Sequence, residues 1–486
     1  MKSHHTTPRV STYPISTLFL ALTTLTLSAG CAINPNYTKP DIKLPDHYND
    51  HQEQTSQAAV DPTWWTHFND PILNDLIQKS LDHNADLQAS IARIENAEAT
   101  LREINGAMLP TISAQTSSSR SRVSQSDAVP LPSGVPALRN LQNVSLVTSF
   151  ELDVFGKLHS ATSAARADLL ATHYARDSLQ LSLTGFVAQQ YFALRASDTR
   201  HSLLTQARTN REARHTLLKH RYQGGLASEL DIRQSEASLA LLDAKIAAER
   251  QNHALLEHQL GFLTGTPDLA LPHGTLSQLP VPPTPPAGLP SQLLESRPDI
   301  QQAEASLASM QARVALAKAA YFPTISLTGN LGSESTSISD LFSSAANVWS
   351  FGLNTTLAIF DAGRNAARED EAQAKQHEAL ALYIKSVQTA FQEVSDALST
   401  LDESTAIAKA NTTRTEASQK ALKLTDDRYQ AGYIGYADVL DAQQNVLDAQ
   451  QDETNATQAR LTATVSLFKT LGGGWHKPIT ENKSKP

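Results

Sequence analysis

Two proline-free runs, residues 137–266 and 324–477, constrain this chain more than any other feature. Proline breaks helix interiors, so its absence over such lengths in Ala-, Leu- and Gln-rich sequence points to very long helices. Between Lys157 and Leu260 the only glycines are Gly185, Gly224 and Gly225; between Arg364 and Leu471 they are Gly432 and Gly435. Lys157 to Gln223 as one helix would run about 100 Å. A length of that order favours a coiled-coil-like assembly over a globular core.

The two runs are copies of one plan. "RYQGGLASELDIRQSE" from Arg221 recurs as "RYQAGYIGYADVLDAQ" from Arg428. "LPTIS" at 109–113 recurs as "FPTIS" at 322–326, and "FGK" before the first run matches "FDAGR" before the second. Periodic self-similarity marks repeated structural units. The glycines at the two tips (Gly224, Gly225; Gly432, Gly435) let the backbone reverse between paired helices.

Ahead of each run the period shortens to two. Ile112, Ala114 and Thr116 alternate with Thr111, Ser113 and Gln115; Ile325, Leu327 and Leu331 alternate with Thr324, Ser326 and Thr328. Return strands follow, the second with Trp349, Phe351, Leu353, Leu357 and Ile359 on one face. Each half is thus a β-hairpin followed by a long helical hairpin.

The expected organisation is a signal peptide at 1–30 and an extended N-terminal segment at 31–61. A first repeat at 62–270 has a helix from about 86 to 105, strands near 110–120 and 143–155 and a helical hairpin at 157–263. A proline-rich linker covers 271–290. A second repeat at 291–471 has a helix at 298–320, strands near 323–333 and 348–360 and a hairpin at 363–471. A tail occupies 472–486. Lys2, Arg9 and the apolar stretch Thr17–Ala29 form a secretory signal too short to span a membrane. It ends in "LSAGC", which resembles a bacterial lipobox, with Leu27 and Ser28 ahead of the cysteine. The resemblance implies cleavage before Cys31 and a lipid on that residue. Ala32, in place of aspartate, implies delivery to the outer membrane.

A hairpin with one apolar face and one Ser/Thr/Asn face suits a membrane barrel, and it also suits a soluble β-layer. Four strands cannot close a barrel, so strands that span a membrane require several chains to share one.

The motifs "WWTHFNDPILNDLI", "SRPDIQQAEASL", "AAYFPTISLTG", "FDAGR" and "RYQAGYIGYADVLDAQ" cover nearly the whole mature chain in order. Together they are similar to those of the outer-membrane efflux proteins, the TolC-like channels, and to the NodT-type lipoprotein branch serving resistance-nodulation-division pumps. The resemblance implies a mainly α fold with a membrane β-barrel portion. Three chains would form a twelve-stranded barrel continuous with a periplasmic α-helical barrel. It implies a passive, gated exit channel carrying small molecules, with a periplasmic adaptor and an inner-membrane pump as partners. A polypeptide-secretion channel of the same architecture, and a pore-less periplasmic coiled-coil lipoprotein scaffold, are the other readings.

The resemblance also assigns the tips. Asp438 and Asp441, i and i+3 on one helix face, match lumen carboxylates of the family's periplasmic gate. Tyr429 matches a tyrosine of the link between neighbouring helices and Asp231 its acidic partner; Ile434 stands where that link has an arginine. Acidic residues in a first turn also stabilise a helix without any gating role, and Ser228 with Asp231 resembles a capping box. Tyr222, the counterpart of Tyr429, reads as tip packing. Leu440 is a candidate apolar element of the gate.

Other chemistry is not expected. Net charge is −9, which disfavours nucleic acid. One cysteine excludes an internal disulfide. His215/His220 and His253/His258 are five apart rather than the same-face four, and His47/His51 lie in an irregular segment, so no metal is expected. No phosphate loop, nucleophile elbow or acid/base pair marks an enzyme, and the only group bound covalently would be the Cys31 lipid.

Overall fold

The computed structural model describes residues 60–124, 136–276 and 293–475, with Lys39, Pro40, Ile42, Pro45, Tyr48, Gly134 and Pro280 besides. The signal peptide, Cys31 and most of the linker and tail lie outside the described residues. In chain order the longer elements are α1 (Pro71–His83), α2 (Ala85–Gly106), β1 (Thr111–Arg122), β2 (Leu138–Leu152), α3 (Lys157–Gln223) and α4 (Glu229–Leu263). The second repeat supplies α5 (Leu293–Ser296), α6 (Pro298–Ala319), β3 (Thr324–Ser335), β4 (Asn347–Thr356), α7 (Arg364–Gln430) and α8 (Tyr436–Thr470). The duplication is met residue for residue: α3 and α7 are 67 residues each, α4 and α8 are 35 each.

The compact units do not coincide with the repeats. One gathers 96–169 and 305–380; the other gathers 40–95, 170–304 and 381–486. Each draws on both halves of the chain.

The first unit holds one antiparallel sheet of order β1-β2-β3-β4. The sequence predicts two hairpins; the structure joins them through a β2–β3 ladder, Ile325 to Ser335 against Leu152 to Gln142. The register sorts the side chains. Trp349 faces Leu331 and Leu331 faces Leu146, which faces Ala114, so these lie on one side of the sheet with Phe351, Leu353, Leu327 and Ile112. Ser113, Ser149, Thr328, Asn330, Ser350 and Asn354 lie on the other. The apolar side is bare: Trp349 is 80% exposed and Ile112 70%. Both outer strands, β1 and β4, keep an edge with no strand partner among the described residues.

Two strand ends depart from the sequence reading. β4 stops at Thr356, so Leu357 and Ile359 lie beyond it. Its partner strand begins at Thr324, paired with Thr356, and the next residue back is Pro323, which has no N–H to continue the ladder. β2 spans Leu138–Leu152 and starts earlier than the expected 143. Past its end, Asp153 turns its carboxylate to the opening of α3, accepting from the amides of Leu158 (2.9 Å) and His159 (2.7 Å). Asp361 repeats the device ahead of α7, accepting from Asn365 at 2.8 Å.

The second unit is helical. Its main core gathers Trp64, Phe68, Leu73, Leu76 and Ile77 from the start of the first repeat against Val187, Tyr191 and Phe192 of α3, Leu260 of α4 and Leu461, Val465 and Phe468 of α8. Asp70 caps α1, accepting from Ile72 and Leu73, with Pro71 at the first helical position. The "SRPDI" motif is structural here. Arg297, buried, donates to Asp299 (2.6 Å), Glu393 (2.7 Å) and the carbonyl of Thr470 (3.1 Å). No described helix is long and apolar enough to cross a membrane.

Candidate functional site: the helical tips

Each long hairpin reverses through five residues, 224–228 and 431–435. The backbone does the same thing twice. The Gly225 amide donates to Tyr222 O at 2.9 Å and Leu226 to Arg221 O at 2.8 Å; Gly432 donates to Tyr429 O at 3.0 Å and Tyr433 to Arg428 O at 3.0 Å. This is the Schellman end of a helix, with the reversing residue left-handed: φ is +74° at Gly225 and +79° at Gly432. Gly224 and Gly435 are not left-handed; Gly435 (φ −82°) is the N-cap of α8.

The next helices start alike. At α4 the capping box is complete: Ser228 Oγ accepts from the Asp231 amide (3.2 Å), and Asp231 accepts from the Ser228 amide (3.0 Å) and hydroxyl (2.7 Å). At α8 glycine has no side chain to give, and the carboxylate half alone remains, Gly435 N to Asp438 Oδ2 at 3.0 Å.

Behind these turns the four helix ends meet in a small core of Leu218 (α3), Ile232 (α4), Tyr436 and Val439 (α8), with Tyr429 (α7) and Leu440 packed against it. Leu440 therefore belongs to the packing between helices. Tyr222 does not pack like Tyr429; it is 46% exposed.

Asp438 and Asp441 are both exposed and line one groove of about 490 Å³ together with Ile434, Asn445, Arg414, Thr425 and Arg428. The i, i+3 spacing has put both carboxylates in one groove, which Arg414 and Arg428 of the preceding helix also line. Tyr429 and Asp231 are occupied separately. Asp231 is bound to Ser228, whereas the Tyr429 hydroxyl accepts from Arg221 (3.4 Å) and its ring lies 5.7 Å from that guanidinium. Arg221, from the first repeat, thus brings a guanidinium to Tyr429, although Ile434 provides none. A short-range motif search misses this because the two residues are 208 positions apart.

More cross-links tie the two hairpins just behind the tips. Arg214 of α3 meets Asp426 of α7. Arg211, buried, reaches Gln444 of α8 at 3.1 Å and also donates to Ser238. Desolvation lowers the pKa of the Arg211 guanidinium from its usual value.

The chain matches the sequence profile described as "Outer membrane efflux protein" over residues 76–266 and 289–473, most of its length. It belongs to the outer membrane efflux protein family. Among curated relatives, the antibiotic efflux pump outer membrane protein ArpC of Pseudomonas putida is 33% identical over 475 residues, covering 95% of this chain and 96% of ArpC. SilC of Salmonella typhimurium, named a probable outer membrane lipoprotein, is 28% identical over 465 residues, covering 94% and 98%. Among solved structures, the open-state MtrE outer membrane channel of Neisseria gonorrhoeae superposes with a TM-score of 0.81 at 30% identity, covering 91% of this chain and 98% of MtrE. The family fold is that of the TolC-like outer-membrane channels, and the outer membrane of a Gram-negative cell is where this efflux protein resides.

Proposed function

We propose that the chain is the passive, gated exit duct of a tripartite efflux pump. It works as a homotrimer, with a periplasmic adaptor and an inner-membrane resistance-nodulation-division pump as partners, and passes small molecules outward without chemistry of its own. One observation carries most of the weight. The sheet has a bare apolar face, a polar opposite face and two unpaired edges. Open edges are intolerable in lipid, and four strands are too few to close. Three copies provide twelve strands, enough for a barrel with lipid outside and water inside.

The tips then form the periplasmic gate. Three copies of Asp438 and Asp441 would stack as two carboxylate rings facing the lumen, favouring cations at the constriction. Tyr429 and Asp231 hold neighbouring tips together in the shut state, with Arg221 bringing a positive charge to the tyrosine. A lipid on Cys31 anchors the chain to the outer membrane, a reading that the lipoprotein name of SilC supports.

Chemical cross-linking of the protein in native membranes tests the assembly. A heat-modifiable trimer that incorporates radiolabelled palmitate only when Cys31 is present supports the reading. A membrane-attached protein that forms no trimer and shows no heat-modifiable behaviour overturns it and favours the pore-less lipoprotein scaffold.

A further inference from the structure

Asp198, on α3, is a meeting point that neither the membrane sheet nor the tips involve. Its Oδ2 is held by Arg195 at 2.9 Å and by the Gly274 amide at 3.1 Å. Its Oδ1 faces two imidazoles, His253 Nε2 of α4 at 3.1 Å and His273 Nδ1 of the following connection at 2.6 Å. The carboxylate is almost wholly buried, while the His273 side chain is 79% exposed. One buried oxygen and two imidazole nitrogens thus converge at the surface, all within 4.8 Å of one another.

We propose that Asp198 Oδ1, His253 Nε2 and His273 Nδ1 bind a divalent transition-metal ion of the zinc class, with the remaining position taken by water. Three arguments favour the metal over a simple hydrogen-bond cluster. Two imidazoles and one carboxylate are a donor set that zinc takes readily. The set is supported from behind as metal ligands are. His253 turns its other nitrogen toward Glu257 Oε2 at 3.5 Å, and Glu257 Oε1 is itself fixed by the Leu271 amide at 3.1 Å. The spacing is also close to what coordination needs. Ligand atoms at tetrahedral zinc lie about 3.3 Å apart, so the His253 contact fits as it stands. The Asp198–His273 separation must open by less than ~1 Å, the two imidazole nitrogens already lie within 4.8 Å of each other, and the exposure of His273 leaves it free to adjust.

Arg195 shares the charge of Asp198 and weakens the site relative to an unshared carboxylate. The ion would fasten residues 264–276 to α3 and α4, adding to the bonds from Arg195 to Pro272 O (2.7 Å) and from Leu276 N to Thr199 (3.0 Å). The spacing along the chain hides this site. His253 pairs not with His258 but with His273, twenty residues on, across a proline-containing connection.

The test uses the untagged full-length protein in detergent, stripped with EDTA and titrated with CoCl2 under visible absorption, with zinc calorimetry in parallel. The expected result is saturation at one ion per chain, with cobalt displaced by zinc. His253→Gln and His273→Gln should each weaken binding by about tenfold or more, and Glu257→Gln by about tenfold through His253. His258→Gln, outside the site, should bind as wild type. The proposal is overturned if neither cobalt nor zinc saturates at one per chain. It is equally overturned if the His253→Gln/His273→Gln double variant, shown by circular dichroism to be folded, binds as wild type does.

Discussion

Arg214 of α3 donates both terminal guanidinium nitrogens to Asp426 of α7, at 2.8 and 2.5 Å, and so clips one helical hairpin to the other. The fork is the strong geometry for an arginine–carboxylate pair. Both side chains are partly exposed, 33% and 21%, so the pair contributes about 1 kcal/mol or less. In the proposed gate its consequence is mechanical rather than thermodynamic, because opening at the tips would require such clips to yield.

Asp426→Asn should therefore leave assembly intact and raise the frequency of channel openings in a planar bilayer. The reversed pair Arg214→Asp/Asp426→Arg should restore wild-type behaviour. Unchanged openings in Asp426→Asn would show that the clip plays no part in closure.

Left-handed backbone at Gly225 and Gly432 costs any residue with a Cβ about 1–2 kcal/mol, although no atom stands within 4 Å to obstruct one. Gly225→Ala and Gly432→Ala should each lower the thermal midpoint of the assembled protein. Gly432→Asn should lower it less, since asparagine tolerates this region better. Gly224, without left-handed backbone, is the control expected to tolerate alanine best.

How much of this could be read in the sequence follows from the range of each signal. The helices were legible because proline absence and composition act locally; α3 begins and ends at the residues the glycines and "FGK" mark. Alternation around Ile112 and Ile325 gave the hairpins for the same reason. The β2–β3 ladder was not legible: Leu146 and Leu331 meet across 185 positions, and nothing near either names the other. The end of β4 is not marked in the sequence, because Leu357 and Ile359 continue the alternation beyond Thr356, where the pairing ends. At the tips, the i, i+3 aspartates and the Ser228 box were visible, whereas Arg221 beside Tyr429 and Asp198 between two histidines arise only from tertiary packing.

Glu249 of α4 carries a pH dependence. Burial opposes its ionisation, but the Arg200 guanidinium (3.2 and 3.3 Å) and the Asn252 amide (3.2 Å), which both donate to it, hold its carboxyl below the usual glutamate value. A carboxyl depressed in the folded state stabilises the fold above its unfolded pKa of about 4.3, and that contribution fades as pH falls through the lower folded value. Thermal midpoints of wild type and Glu249→Gln should therefore differ most at neutral pH and converge below about pH 4.3. A difference that grows on acidification would contradict this.

Trp349 should report lipid directly. It is 80% exposed on the apolar side of the sheet, whereas Trp64 is fully buried in the helical unit. Brominated phospholipids should quench part of the tryptophan emission in proteoliposomes, and Trp349→Phe should abolish that part. Phe351→Arg on the same side should cost up to about 2–4 kcal/mol if it sits at mid-membrane depth, seen as reduced barrel assembly.

In the proposed duct, Asp438 and Asp441 line the narrowest point of a water-filled passage. Single-channel recording of the reconstituted protein, with ion selectivity compared between wild type and the Asp438→Asn/Asp441→Asn variant, tests it most directly. Asparagine can still accept the Gly435 amide, so the helix start is preserved. Wild type should show a small, cation-selective conductance, and the variant should lose that selectivity. Equal cation selectivity in both would place these carboxylates outside the conduction path and contradict the gate.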